Sequence, residues 1–266
     1  MKIKTAIRLM EGFVAVLVLV GGYCGYRYYD DVCKPEKQLD TAAAVQEEII
    51  GRIRPVVDYQ SPAQSVDSDD SGTVETSQNS EPTQNPLAPC EEVNDDTVGW
   101  IYIPDTNIDL PIVQGTDNDF YLHNGIDRAY NYELGCPFLD YRCIGDFSGF
   151  NSIVYAHHMT KRRMFADISL FKDENFMYSH PVGYLILNDG VHTVEFFAYL
   201  NVPSTANVYQ TEFYTDEQKS EYLDYIFNTA DYVHETDVDT TSHLLLLSTC
   251  TYEFDEARGV LVGKIE

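Results

Sequence analysis

Basic residues are scarce. The 266-residue chain carries 17 Lys and Arg against 43 Asp and Glu, a formal charge of -26, and has no Lys or Arg between Arg54 and Arg128. Nucleic acids and anionic membrane surfaces are held by clustered cations, so both are excluded as partners. The charge suits a secreted or surface-exposed protein and tolerates a cationic substrate such as an amine. Tryptophan is almost missing (1) while tyrosine is abundant (20), a mix that fits a β-rich domain better than a helix bundle. The six cysteines, Cys24, Cys33, Cys90, Cys136, Cys143 and Cys250, include no C-x-x-C pair, and no His stands at zinc-ligand distance from two of them. No metal site and no cofactor are expected. Cys136 and Cys143 are equally compatible with a bridge and with two buried thiols.

The N-terminus has little charge between Arg8 and Arg27. Lys2, Lys4 and Arg8 precede the apolar run Gly12–Tyr26. That run is shorter than the roughly 20 residues a bilayer span needs, but Leu9-Met10 and Tyr28-Tyr29 can extend it. The preceding positive charges imply a cytoplasmic N-terminus with the remainder outside. No small-x-small cleavage site follows, which favours an uncleaved signal-anchor over a removed signal peptide. Tyr23 before Cys24 is too bulky for lipoprotein processing.

Four segments are expected. Residues 1–29 form the cytoplasmic N-terminus and anchor helix. Residues 30–60 form an amphipathic helical segment, with Leu39, Ala42, Ala43, Gln46, Ile49, Ile50 and Ile53 at near-helical spacing, serving as a stalk or lying on the domain behind it. Residues 61–90 turn to Ser, Thr, Asp, Gln, Asn and Pro and read as a disordered acidic tether. Residues 91–266 are globular. Within them Trp100–Ile103, Ile108–Val113, Pro137–Leu139, Ser152–Tyr155, Leu244–Leu247 and Val260–Ile265 read as strands. Tyr184–Leu187 and Val191–Leu200 read as a hairpin around Asn188-Asp189-Gly190. Asp117–His123 reads as a short capped helix, Met164–Phe171 as a helical turn, and Thr215–Asn228 as a helix opened by a Thr-x-x-Gln box. Many short strands with inserted helices predict a mostly-β barrel.

The C-terminal stretch HLLLLSTCTYEFDEARG poses the chemical question. A core strand of four leucines needs no thiol at its tip, and Arg258, eight residues on, is the only arginine in the last hundred residues. A thiol emerging at a sheet rim becomes a nucleophile when a base is near. The candidate bases are His123, His157, His158, His180, His192, His234 and His243, of which His157 ends the apolar strand SIVYA. Arg258 opens the final strand, so pairing of the two strands would bring its fixed donors to the same rim, where they would stabilise an oxyanion. Each element has a plainer reading: a core thiol, a polar loop start, and a surface cation paired with Glu253, Asp255 or Glu256.

Together the motifs resemble the sortases, membrane-anchored cysteine transpeptidases of Gram-positive bacteria. Leu247-Ser248-Thr249-Cys250 with Arg258 is similar to their T-L-x-T-C…R signature, and Tyr155-Ala156-His157-His158-Met159 to their histidine motif. Val98–Ile103, Leu110–Gln114, Asp117-Asn118 with Tyr121-Leu122, and the helix before the cysteine strand are similar to the class B branch. Leu246 and Ala156 depart from it, standing where the family usually has Thr and Gly. The resemblance covers residues 91–266 and implies a closed sortase-type β-barrel with inserted helices behind an N-terminal membrane anchor. It implies Cys250 as nucleophile, His157 as general acid/base and Arg258 as oxyanion or substrate-orienting cation. Ser248 and Thr249 would line the substrate groove, and His158 would be structural. The implied partners are secreted proteins bearing a C-terminal sorting motif and an amine acceptor such as a peptidoglycan precursor or pilin lysine. The alternatives are a cysteine endopeptidase that uses water as acceptor, and a non-catalytic surface-binding domain in which Cys250 is a core thiol.

Overall fold

The computed structural model describes residues 2–59, 85–251, 253 and 256–266. Most of the expected tether lies outside the described residues. The N-terminal region is helical: α1 (Lys2–Tyr28) continues through a π-helical turn (Tyr29–Cys33) into α2 (Lys34–Ile53), which starts with Pro35 in its first turn. The helix expected over the apolar run therefore forms, but among the described residues no helix is long and apolar enough to cross a membrane.

The α2 helix lies on the domain. Its Ala43, Gln46 and Ile53 are buried, and Ala43 joins the main core cluster. The folded region also begins before residue 91. Leu87 and Cys90 are fully buried, and Ala88–Glu91 forms a short helix, α3.

Strands β1 (Thr97–Tyr102) and β2 (Asp109–Val113) pair antiparallel. A single-turn helix, α4 (Phe120–His123), follows. The Asp117 carboxylate accepts hydrogen bonds from the Asp119 and Phe120 amides. Next come β3 (Phe138–Leu139), β4 (Asn151–Tyr155), and a small hairpin of β5 (His158–Met159) and β6 (Arg163–Met164). The helical turn expected near Met164–Phe171 is a 3-10 helix over Ala166–Lys172, followed by a short helix not foreseen, α5 (Glu174–Ser179). Strands β7 (Val182–Leu187) and β8 (Gly190–Pro203) form the expected hairpin, with Gly190 at φ +146 closing the turn. In α6 (Asp216–Thr229) the Thr215 hydroxyl accepts from the Gln218 amide, and the Gln218 side chain accepts from the Tyr214 amide. The first bond is the one that the Thr-x-x-Gln spelling implies, while the return bond goes to the amide before the cap rather than to that of Thr215 itself. The short β9 (Tyr232–Val233), then β10 (His243–Cys250) and β11 (Ala257–Ile265), complete the chain.

The sheet order is β11-β10-β4-β3-β2-β1-β7-β8-β9, and the β11–β8 pairing closes eight of these strands into a barrel, with β9 outside the ring. Leu244–Leu247 explains its lack of alternation here. The strand runs between β11 and β4 and is buried on both faces. Leu245 and Leu247 fill the barrel with Ile101, Ile112, Val154 and Leu261. Leu244 and Leu246 face outward beneath Tyr222, Leu223 and Ile226 of α6. All four leucines are at 0 % exposure, each worth about 1.5–3 kcal/mol of burial.

Candidate active site

Strand parity decides what the sheet presents. Along β10 the even positions face outward, so the row Leu244, Leu246, Ser248 ends in Cys250 on the outer surface of the barrel. Cys250 pairs directly with Arg258 across the β10–β11 ladder, and Ser248 with Val260, a member of the same outer cluster. Directly opposed residues point to the same face, so the Arg258 side chain leaves the sheet beside the sulfur. On the other flank β4 runs parallel to β10 with Ser248 against Tyr155, and the Ala156 amide extends the pairing by donating to the Ser248 carbonyl (3.2 Å). Ile153 and Tyr155 also belong to the outer cluster. Two residues further, His157 emerges on that side.

All three side chains are half-buried and line one open cleft of about 460 Å³. Cys250 is thus neither sealed in the core nor remote from the other two. The remaining cysteines are also free thiols, which settles Cys136 and Cys143 against a bridge. Burial pushes the Cys90 thiol up to about 12 and Cys143 to about 11, and raises that of Cys136 further. None of those three is set up to form a thiolate.

His157 is oriented by its backbone surroundings. Its Nε2 lies 2.8 Å from the Leu122 carbonyl oxygen. A carbonyl only accepts, so Nε2 carries the proton in this contact. Nδ1 is the ring nitrogen that this contact leaves unengaged.

Arg258 is not the partner of Glu253 or Glu256. Glu253 pairs with Lys172 and accepts from Asn201, and the Glu256 carboxylate accepts from Ser204 (2.5 Å). Asp255 lies outside the described residues. Arg258 makes one hydrogen bond, from Nη1 to the adjacent Ala257 carbonyl (3.1 Å), and among the described residues it has no ion-pair partner. The side chain also lines the cleft.

Ser248 and Thr249 also line the cleft wall, but they are only 1 % and 2 % exposed. The Thr249 hydroxyl donates to the Ala156 carbonyl (2.9 Å), and that of Ser248 shares a hydrogen bond with Tyr209 (3.0 Å). These hydroxyls tie β10 to its neighbours. Tyr209 had no sequence signal. Burial raises its phenol to about 12, against the Ser248 hydrogen bond and the nearby Arg258 charge. Behind the cleft-lining Arg142 and Tyr155, fully buried Asp140 accepts two hydrogen bonds from the Arg142 guanidinium (2.9 and 2.7 Å) and one from Tyr155 (3.1 Å). This network fixes Arg142 and Tyr155 along the wall. It was not anticipated either, because its members are polar residues without periodicity. Among the described residues no cluster of His, Cys, Asp and Glu could hold a metal ion.

Comparison with known proteins gives the same fold. No protein-family model matches the chain. The chain is similar to Sortase B of Listeria monocytogenes, 33% identical over 181 residues that cover 67% of this chain and 73% of that protein. It is also similar to Sortase B of Staphylococcus aureus, 27% identical over 177 residues, 66% of this chain and 72% of that one. Among solved structures, Clostridium perfringens sortase B aligns with a TM-score of 0.63 and 32% identity, over 66% of this chain and 97% of that chain.

Proposed function

The chain belongs to the sortase B family, cysteine transpeptidases, and from that membership we propose that Cys250, His157 and Arg258 carry out the acyl transfer in the outer cleft of the barrel. The observation that carries this reading is the direct register pairing of Cys250 with Arg258, in a cleft that His157 also lines.

The Cys250 thiolate attacks the carbonyl carbon of a threonine in the sorting motif of a secreted protein. A C–S bond forms, and the carbonyl oxygen takes up the displaced electron pair. Arg258 donates hydrogen bonds to that oxyanion. Collapse breaks the C–N bond, and the leaving amine receives its proton from His157 at Nδ1, giving a thioacyl-enzyme. An amine from a cell-wall precursor or a pilin lysine then attacks the thioester, losing a proton to His157. The C–S bond breaks and the thiolate is restored. The residues so arranged require no cofactor.

Replacing Cys250 with Ala should abolish cleavage of a sorting-motif peptide, and a thioacyl adduct at Cys250 should appear by mass spectrometry in the unmutated enzyme. Full activity in the variant would refute the assignment. Adding an amine acceptor should divert product from the free acid to the ligated peptide; product that stays entirely hydrolysed would make the enzyme an endopeptidase instead. We also propose that α1 attaches the enzyme to the membrane of a Gram-positive cell, with the catalytic domain outside. In support, Phe13, Val14 and Val16–Val20 are exposed and uncovered by the domain, a costly arrangement in water. The chain should remain with the lipid on alkaline extraction of membranes, and release into the supernatant would refute attachment.

A further inference from the structure

His157 is held from two sides by chain segments that both rest on α2. On one side stands Gln46, in the second half of that helix and only 4 % exposed. Its Nε2 donates to the Gly135 carbonyl (3.1 Å), and its Oε1 accepts from Asn131 Nδ2 (2.6 Å). Asn131 in turn donates to the Gly135 carbonyl and accepts from the Gly135 amide. Gln46 and Asn131 therefore lock the Gly135 peptide in place. Gly135 has φ +69, and a Cβ there would meet the Leu122 carbonyl oxygen at 2.9 Å and His157 Cδ2 at 3.3 Å. The residue that Gln46 grips thus stands so near the imidazole edge and the carbonyl that receives its Nε2–H that no side chain fits between them.

On the other side is the hairpin β5–β6, which follows His157 directly. The Phe165 amide donates back to the His157 carbonyl (3.0 Å). Between them Lys161, Arg162 and Met164 adopt φ of 61, 56 and 53. Left-handed backbone at three non-glycine residues in four persists only where surrounding contacts impose it. Those contacts are ionic. Asp40 of α2 pairs with Lys161 (2.6 Å) and Arg163 (2.9 Å), and Arg162 pairs with the buried Asp167 (2.6 Å). The barrel closes without α2, which contributes no strand to the ring. Yet two polar side chains of α2 reach the segments on either side of the imidazole.

We propose that α2 is a positioning element for His157, in which Gln46 and Asp40 set the orientation of the ring and so the place of its Nδ1. The proposal rests on the assignment of His157 as the general acid/base.

The test uses the full chain. Gln46→Leu keeps the side-chain bulk and removes both hydrogen bonds. It should lower kcat for cleavage of a sorting-motif peptide about tenfold, short of the roughly 10²-fold that a full 1 Å displacement can cost, with KM within about twofold. It should also broaden away the imidazole N–H resonance of His157, which loss of stability alone would not do. Asp40→Ala, at a surface position, should lower kcat about threefold, and Asp40→Glu should restore it. A folded Gln46→Leu enzyme with kcat within about twofold of the parent and an unchanged His157 resonance overturns the proposal. If that variant does not fold, the Asp40 pair decides: a loss rescued by Glu supports the proposal, and an unchanged kcat in Asp40→Ala overturns it. His157→Ala separates the two levels. Full activity there removes the assignment of His157 as acid/base, while the resonance in Gln46→Leu still tests whether α2 orients the ring.

Discussion

Arg258→Ala is the substitution that separates an electrostatic role from a scaffolding one. The guanidinium stands across the ladder from Cys250, and the two described carboxylates of the preceding loop bond elsewhere, Glu253 to Lys172 and Glu256 to Ser204. A half-buried cation at the rim of a cleft, with no counter-ion among the described residues, would act on developing negative charge with little screening. Loss of one preorganised oxyanion donor costs about 10²–10³ in rate, or about 2.7–4 kcal/mol. Stability should change little, within about 0.5 kcal/mol, because the side chain makes a single hydrogen bond, to the carbonyl of its own neighbour. Arg258→Lys keeps the charge but not the planar fork, and should fall between the two. The assay is single-turnover formation of the thioacyl-enzyme from a sorting-motif peptide, with thermal unfolding recorded on the same samples. A folded Arg258→Ala enzyme that acylates within about threefold of the parent would refute the reasoning. So would a loss confined to peptide affinity, since an oxyanion contact is made in the transition state.

Three further outcomes follow from the cleft walls. Tyr209→Phe removes the partner of the Ser248 hydroxyl, which is 1 % exposed. It should cost about 1–2 kcal/mol and lower Tm by about 2–8 °C; an unchanged calorimetric Tm would contradict this. For Asp140, burial opposes ionisation, but hydrogen bonds from the Arg142 side chain and amide outweigh it and hold the carboxyl below its ordinary value. Its contribution to stability is therefore complete above about pH 3.9 and is lost as pH falls through the lower folded value. Asp140→Asn should flatten that acid limb in urea titrations between about pH 2 and 5, and an unaltered limb would show that the pair does not act this way. Gly135→Ala places a Cβ 2.7 Å from the Tyr121 carbonyl at φ +69. Strain of about 1–3 kcal/mol should appear as a lower Tm together with slower acylation, and parent-like values of both would sink the account of the Gly135 contact.

The barrel was readable where burial is written as hydrophobic pattern. Trp100–Ile103, the Asn-Asp-Gly hairpin, the Thr-capped α6 and the four leucines of β10 all lie where their residues imply. The misplacements have physical causes. Leu87 and Cys90 sit in a polar stretch, and only tertiary contact, as with the Cys90 thiol donating to the Ile53 carbonyl (3.2 Å), shows that the folded region has begun. The two strands of the β5–β6 hairpin are two residues each, too short for any period to register. Asp117–His123 shrank to one turn because Asp117 bonds the amides of Asp119 and Phe120, which forms a turn as readily as a helix start.

The candidate site was readable for a more particular reason. A strand has a period of two, so once β10 is known to lie between β4 and β11, parity alone places Cys250 and Arg258 on one face and sends His157 out beside them. What supports those residues obeys no such rule. The Leu122 carbonyl that orients His157 lies 35 positions away in the chain, Gln46 is 89 from the Gly135 it grips, and Lys161 is 121 from Asp40. Polar contacts of this kind depend on where loops end in space, and neither hydrophobic spacing nor a motif records that. The groups proposed to react are therefore spelled out along two strands and just past the end of a third, while the contacts proposed to aim them exist only in the folded chain.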